Sequence, residues 1–130
     1  KLGLDRPAIA VELTIDDGGV KRRHRFSRIM MRSAAKLSYG DAQRIIGDRK
    51  ASGVVAETVH ALHAAFETRW KERSKRAPLD LDLPERKIIL NGDGTVARIL
   101  KRERFDAHRL IEEFMILANV AAAETLEQRR

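Results

Sequence analysis

A chain of 130 residues with 26 Lys and Arg against 19 Asp and Glu carries a formal charge of +7, which argues against two domains on length and favours contact with a polyanion, nucleic acid first. The lack of cysteine excludes a disulfide framework and a thiolate metal centre. No apolar run approaches the roughly 20 residues of a membrane-spanning helix, and 5% aromatic residues are too few for an open base-stacking platform. The expectation is a soluble, cytoplasmic protein with no membrane contact and no obligate protein partner.

Pro7 to Ile15 alternates with β-branched and apolar residues, Asp16, Asp17, Gly18 and Gly19 supply turn chemistry, and Val20 to Met31 resumes the alternation through His24, Phe26 and Arg28. This predicts a β-hairpin. Ser38 followed three residues on by Asp41 is a capping-box spacing, so a short helix is expected from Tyr39 to the stop at Gly47. Gly53 precedes a longer helix whose apolar stripe is Val55, Val59, Leu62, Phe66 and Trp70, running into the charged tail Lys71 to Arg76 and ended by Pro78. Leu79 to Leu83 alternates strictly and reads as a strand with Asp80 and Asp82 on one face. Lys87 to Leu90, the turn Asn91 to Gly94 and Thr95 to Leu100 predict a second hairpin, and Asp106 is the expected cap of a final helix. The fold class is therefore α+β, with antiparallel hairpins and helices interleaved in a single unit.

Several groups can carry chemistry. The basic clusters Lys21 to Arg25, Arg69 to Arg76 and Arg98 to Arg104 are phosphate-facing strips or solvated faces; Arg22, Arg23 and Arg25 are the RNA-contacting candidates of the first. His60 and His63 stand one turn apart without a third ligand, and Asp80 and Asp82 fall short of the six oxygens a hard cation takes. Tyr39, at the positive end of a capped helix, can stack on a base and donate from its hydroxyl. On the last helix, Leu110, Phe114, Leu117, Ala118 and Ala121 gather on one side, with Glu113 beside that stripe and Glu112 turned toward His108 and Asn119. Either both acids are solvated, with Glu112 four residues after His108 and Glu113 four after Arg109, or Glu113 faces a cavity and binds a donor there.

Arg104, the run Asp106 to Glu113, Met115 and Ala118 with Asn119 resemble the signature helix of the catalytic (RNB) domain of ribonuclease II and ribonuclease R type exoribonucleases. Asp5 to Pro7, Met31 to Tyr39 and Arg76 to Pro84 agree in order and spacing, so the resemblance runs from about Leu4 to Ala123, with the ribonuclease R branch nearer. The resemblance implies that residues 1–130 are an internal part of such a domain, incomplete at both ends; the chain also begins without methionine and ends within a helix.

In that family the enzyme hydrolyses single-stranded RNA processively from the 3′ end to nucleoside monophosphates, with Mg2+ held by an aspartate cluster. The resemblance places that cluster before this segment and a completing arginine and glutamate after it. It also implies that Tyr39 contacts the 3′-terminal nucleotides, that Glu113 hydrogen-bonds the terminal nucleotide as the one catalytic-site residue here, and that Leu81 stands where ribonuclease II clamps the base stack with a phenylalanine. Leucine offers dispersion but no π-face. The alternatives are a basic RNA-binding module without catalysis and a structural piece that binds a protein through its last helix.

Overall fold

The structure, a computed structural model, describes residues 2–75, 86–101 and 104–129. The expected strand Leu79 to Leu83, with Asp80, Leu81 and Asp82, and Pro78 all lie outside the described residues.

Strands β1 (Asp5–Ile15) and β2 (Lys21–Arg32) form an antiparallel hairpin, paired from Asp5 with Arg32 to Thr14 with Arg23. The turn closes because Asp16 Oδ1 accepts the amides of Gly18 (3.0 Å) and Val20 (2.8 Å). Gly19 has a φ of +83° and lies so near α2 that an added Cβ would meet the carbonyl oxygen of Thr68 at 2.5 Å. Only glycine meets both conditions. The register then shifts, since Thr14 opposes Arg23 while Ile15 opposes Lys21. Arg22 is the extra residue of this bulge, which resets the alternation and lets Lys21 and His24 reach the same helix.

Helix α1 (Tyr39–Gly47) starts at a reciprocal capping box: the Asp41 amide donates to Ser38 Oγ at 3.1 Å and the Ser38 amide to Asp41 Oδ2 at 3.2 Å. Helix α2 (Val54–Ser74) follows Gly53 as expected, but the face it buries matches the expected stripe only in part. Ala56 and Phe66 are buried, whereas Val55 and Leu62 stand exposed. The inward face continues through Arg69 and Arg73, at the helical spacing that apolar counting passes over.

Strands β3 (Arg86–Leu90) and β4 (Val96–Lys101) form the second antiparallel hairpin around Asn91 to Gly94. Ile88, Leu90, Val96 and Ile99 are each more than half exposed on it. Helix α3 (Asp106–Glu127) has Phe105, not Asp106, at its N-cap. Its free amides are met from outside the expected motif: Gln43 Oε1 of α1 accepts the Ala107 N–H at 3.1 Å, and His108 Nδ1 accepts the Phe105 N–H at 3.1 Å. The described core is the meeting of α1, α2 and α3, where Ala56, Phe66, Ala107, Leu110, Leu117 and Ala121 are buried. The architecture is α+β, two hairpins interleaved with three helices among the described residues.

Candidate functional site

The side of α3 that packs on α2 is closed. Leu110, Glu113, Leu117 and Ala121 form its buried stripe, and Glu113, with no exposed surface, is the buried charge in it. Arg69 Nη2 donates to Glu113 Oε1 at 2.9 Å, and Arg73 Nη1 donates to Oε2 at 2.8 Å. Arg69 also donates through Nη1 to the carbonyl of Gly19, so one guanidinium ties the β1–β2 turn, α2 and α3 together. Arg73 and Arg109 both lie over the Trp70 ring, at 6.0 and 5.7 Å from its centre.

Glu113 therefore does not face a cavity. The donors it binds are two arginines of its own chain, and neither oxygen is left open to a nucleotide. Nor is it a solvated charge four residues after Arg109, whose nearer acid is Asp106 at 3.5 Å. A buried acid with such partners holds a fold in register; the net gain is small, because desolvation offsets most of the attraction, but loss of one member strands the others.

One residue away, α3 opens to solvent. Glu112 has a side chain 47% exposed, held by Arg104 at 2.8 Å through Oε2 alone. His108, one turn earlier on the same face, stacks on Tyr39 with ring centres 4.0 Å apart and planes 17° from parallel. It also stacks on Phe105 at 5.5 Å. Tyr39 is 42% exposed and, as the first residue of α1, sits beside that helix's free amides. It packs on α3 rather than on the preceding hairpin. The outcome is an open face on which the Tyr39 ring stacks on the His108 imidazole and Glu112 stands one helical turn beyond His108, brought together by α1 and α3. Of the two functional residues inferred on these helices, the structure leaves Tyr39 accessible and closes off Glu113. Glu112 and His108 lie on this open face, and their four-residue spacing on one side of the helix was visible in the sequence.

Arg22, Arg23 and Arg25 of the first hairpin do not act as one patch. Arg22 is bound to Asp16 at 2.6 Å and Arg25 to Glu12 at 2.8 Å. Arg23 is exposed and carries no ion pair among the described residues. Lys21 and His24 are turned to α3, where Lys21 Nζ meets Glu124 at 2.6 Å and His24 Nε2 lies 2.8 Å from Thr125 Oγ1. The Lys21 contact, first, and the nearby His24 hold the Glu124 carboxyl below its usual pKa.

His60 and His63 do not share a ligand. His60 Nε2 lies 2.8 Å from the carbonyl of Ile45 and satisfies the end of α1, while His63 lines a shallow cleft with Phe66, Trp70, Asp106 and Arg109. Among the described residues no three His, Asp or Glu side chains gather as a cation would require. No described helix is long and apolar enough to cross a membrane.

With this geometry in view, comparison with known proteins is direct. The sequence model of the RNB domain matches residues 1–130, and the chain belongs to that family. Ribonuclease R of Escherichia coli strain K12 is 32% identical over 131 residues, covering 98% of this chain and 16% of that protein. Exoribonuclease 2 of Edwardsiella piscicida is 33% identical over 132 residues, covering 98% of this chain and 20% of that protein. The chain thus spans about a sixth to a fifth of the length of these relatives. Among solved structures, the apo form of Mycoplasma genitalium RNase R superimposes with a TM-score of 0.89 at 19% identity, over 99% of this chain and 20% of that one. The same protein in complex with ribose methylated single-stranded RNA matches equally.

Proposed function

We propose that residues 1–130 are part of the catalytic domain of a 3′-5′ exoribonuclease that degrades single-stranded RNA processively to nucleoside monophosphates in the cytoplasm. In this reading the segment supplies cavity wall and 3′-end grip. The observation that carries it is the RNB match across the entire chain. The open face carrying Tyr39, His108 and Glu112 supports it with suitable chemistry.

A carboxylate repels phosphate and accepts only from donors, so on an RNA strand Glu112 would take a sugar hydroxyl or a base amine. Tyr39 would stack on a base or sugar face. Glu113 then acts at one remove, holding α3 so that Glu112 points outward. Of Arg22, Arg23 and Arg25, Arg23 is the one best placed to meet phosphate, with Arg22 and Arg25 shared with their acids. Leu81 is retained as an aliphatic cap on the base stack.

The reaction class uses Mg2+ to activate water and to stabilise the leaving oxygen. The described residues do not offer a donor set for it, and its ligands are assigned to other parts of the protein. The formal charge of +7 keeps one alternative in play, a basic module that binds RNA without cutting it.

The test is a 5′-labelled oligoribonucleotide incubated with the full-length protein and Mg2+. Progressive shortening from the 3′ end with release of monophosphates is the expected result, and binding without shortening would favour the alternative. Residues 1–130 alone should not cut RNA.

A further inference from the structure

The imidazole of His108 has one nitrogen with a task and one without. Nδ1 accepts the Phe105 amide at 3.1 Å, closing the first turn of α3. An N–H donor at Nδ1 requires that nitrogen to be bare, so the neutral ring carries its proton on Nε2. Nε2–H has no partner among the described residues, although the ring is half-buried. The ring itself cannot swing, because it is stacked on Tyr39 at 4.0 Å and on Phe105 at 5.5 Å. A fixed, oriented donor thus stands against the Tyr39 ring, on a residue one helical turn before Glu112.

We infer that His108 is a ligand-contacting residue: its Nε2–H donates to an acceptor oxygen on the sugar–phosphate backbone of a bound RNA strand, while Nδ1 holds the helix cap. The division of labour suits this face. Glu112 can only accept, so a strand lying across both would be held by one donor and one acceptor at fixed spacing. The stack with Tyr39 keeps that donor from turning away when the strand leaves, which limits the ordering cost of rebinding. This inference rests on the exoribonuclease reading for its ligand.

Two substitutions separate the two nitrogens. Asn places a polar atom near the position of Nδ1 and can still accept the Phe105 amide; Gln reaches the position of Nε2 and can still donate to the strand. In the full-length protein, with Mg2+ chelated so that no cutting occurs, the Kd for a short fluorescent oligoribonucleotide is measured by anisotropy. Thermal unfolding of each variant is recorded alongside. His108→Asn is expected to weaken binding about fivefold, the worth of one hydrogen bond, with an unfolding midpoint close to wild type. His108→Gln is expected to keep most of the affinity despite a lowered midpoint. An oligodeoxynucleotide of the same sequence identifies the acceptor: an equal loss with both points to phosphate, a loss only with RNA to the 2′-hydroxyl.

The inference is overturned if His108→Asn binds as wild type, or if both variants lose affinity in step with their stability. Failure of the wild-type protein to bind RNA at all would overturn the exoribonuclease reading instead.

Discussion

Glu112 and Glu113 are neighbours in the chain and opposites in the fold. One lies on the open face of α3 with His108 and Tyr39, bound once to Arg104; the other lies with no exposed surface between Arg69 and Arg73. The contrast teaches that the more conspicuous acid, the one set against an apolar stripe, is the one the fold consumes. Burial needs partners at once, and a group whose partners are intramolecular has none left for a ligand. The acid left open to solvent is Glu112, and on the exoribonuclease reading it is the one a strand would reach.

The closed side of α3 should show the largest effects. Glu113→Ala leaves two guanidinium groups facing each other in a half-dry interface, and removing one member of such a pair costs about 3 to 5 kcal/mol. Urea unfolding should show this as a large fall in midpoint; a fall no greater than that of an exposed helix residue would mean the network is not holding the fold. Gly19→Ala attacks the same junction through the hairpin turn. A Cβ there meets the Thr68 carbonyl at 2.5 Å and the backbone has a φ of +83°, so a loss of about 2 kcal/mol is expected in the same experiment.

The open side depends on α1 keeping its start. Ser38→Ala removes the side-chain half of the capping box and should cost about 1 kcal/mol, with Tyr39 less firmly set as a result. The smallest effect is a pH dependence. Glu124 titrates below its ordinary value of 4.5, chiefly because Lys21 donates to it. A lowered folded pKa stabilises the protein above the unfolded value, and that contribution is lost as pH falls through the folded one. The stability gap between wild type and Glu124→Gln should therefore be present at pH 6 and close on acidification below about 4.5. A gap that instead grew toward acid would show that Lys21 and Glu124 do not interact as described.

Local signals were legible in the sequence, and pairings between distant elements were not. Both hairpins, the capping box at Ser38 and Asp41, and the stop at Gly47 follow from residues within a few positions of one another. The cap of α3 was misplaced by one residue because its free amides are served by Gln43 from α1 and by the His108 ring, which no nearest-neighbour motif contains. On α2 the apolar count placed Phe66 inside but also took in the exposed Val55 and Leu62, and it passed over Arg69 and Arg73, which point inward because Glu113 is there to receive them. Tyr39 was placed at the helix start from sequence, but its stack on His108 required the fold.

On the exoribonuclease reading, Glu112 meets the ligand and Glu113 holds the helix. The most direct measurement records RNA affinity and unfolding midpoint together for Glu112→Ala and Glu113→Ala in the full-length protein. Glu112→Ala should weaken binding of a short oligoribonucleotide about fivefold or more while leaving the midpoint near wild type, and Glu113→Ala should lower the midpoint sharply. A stable Glu113→Ala variant that has lost RNA, beside a Glu112→Ala variant that binds as wild type, would contradict these roles.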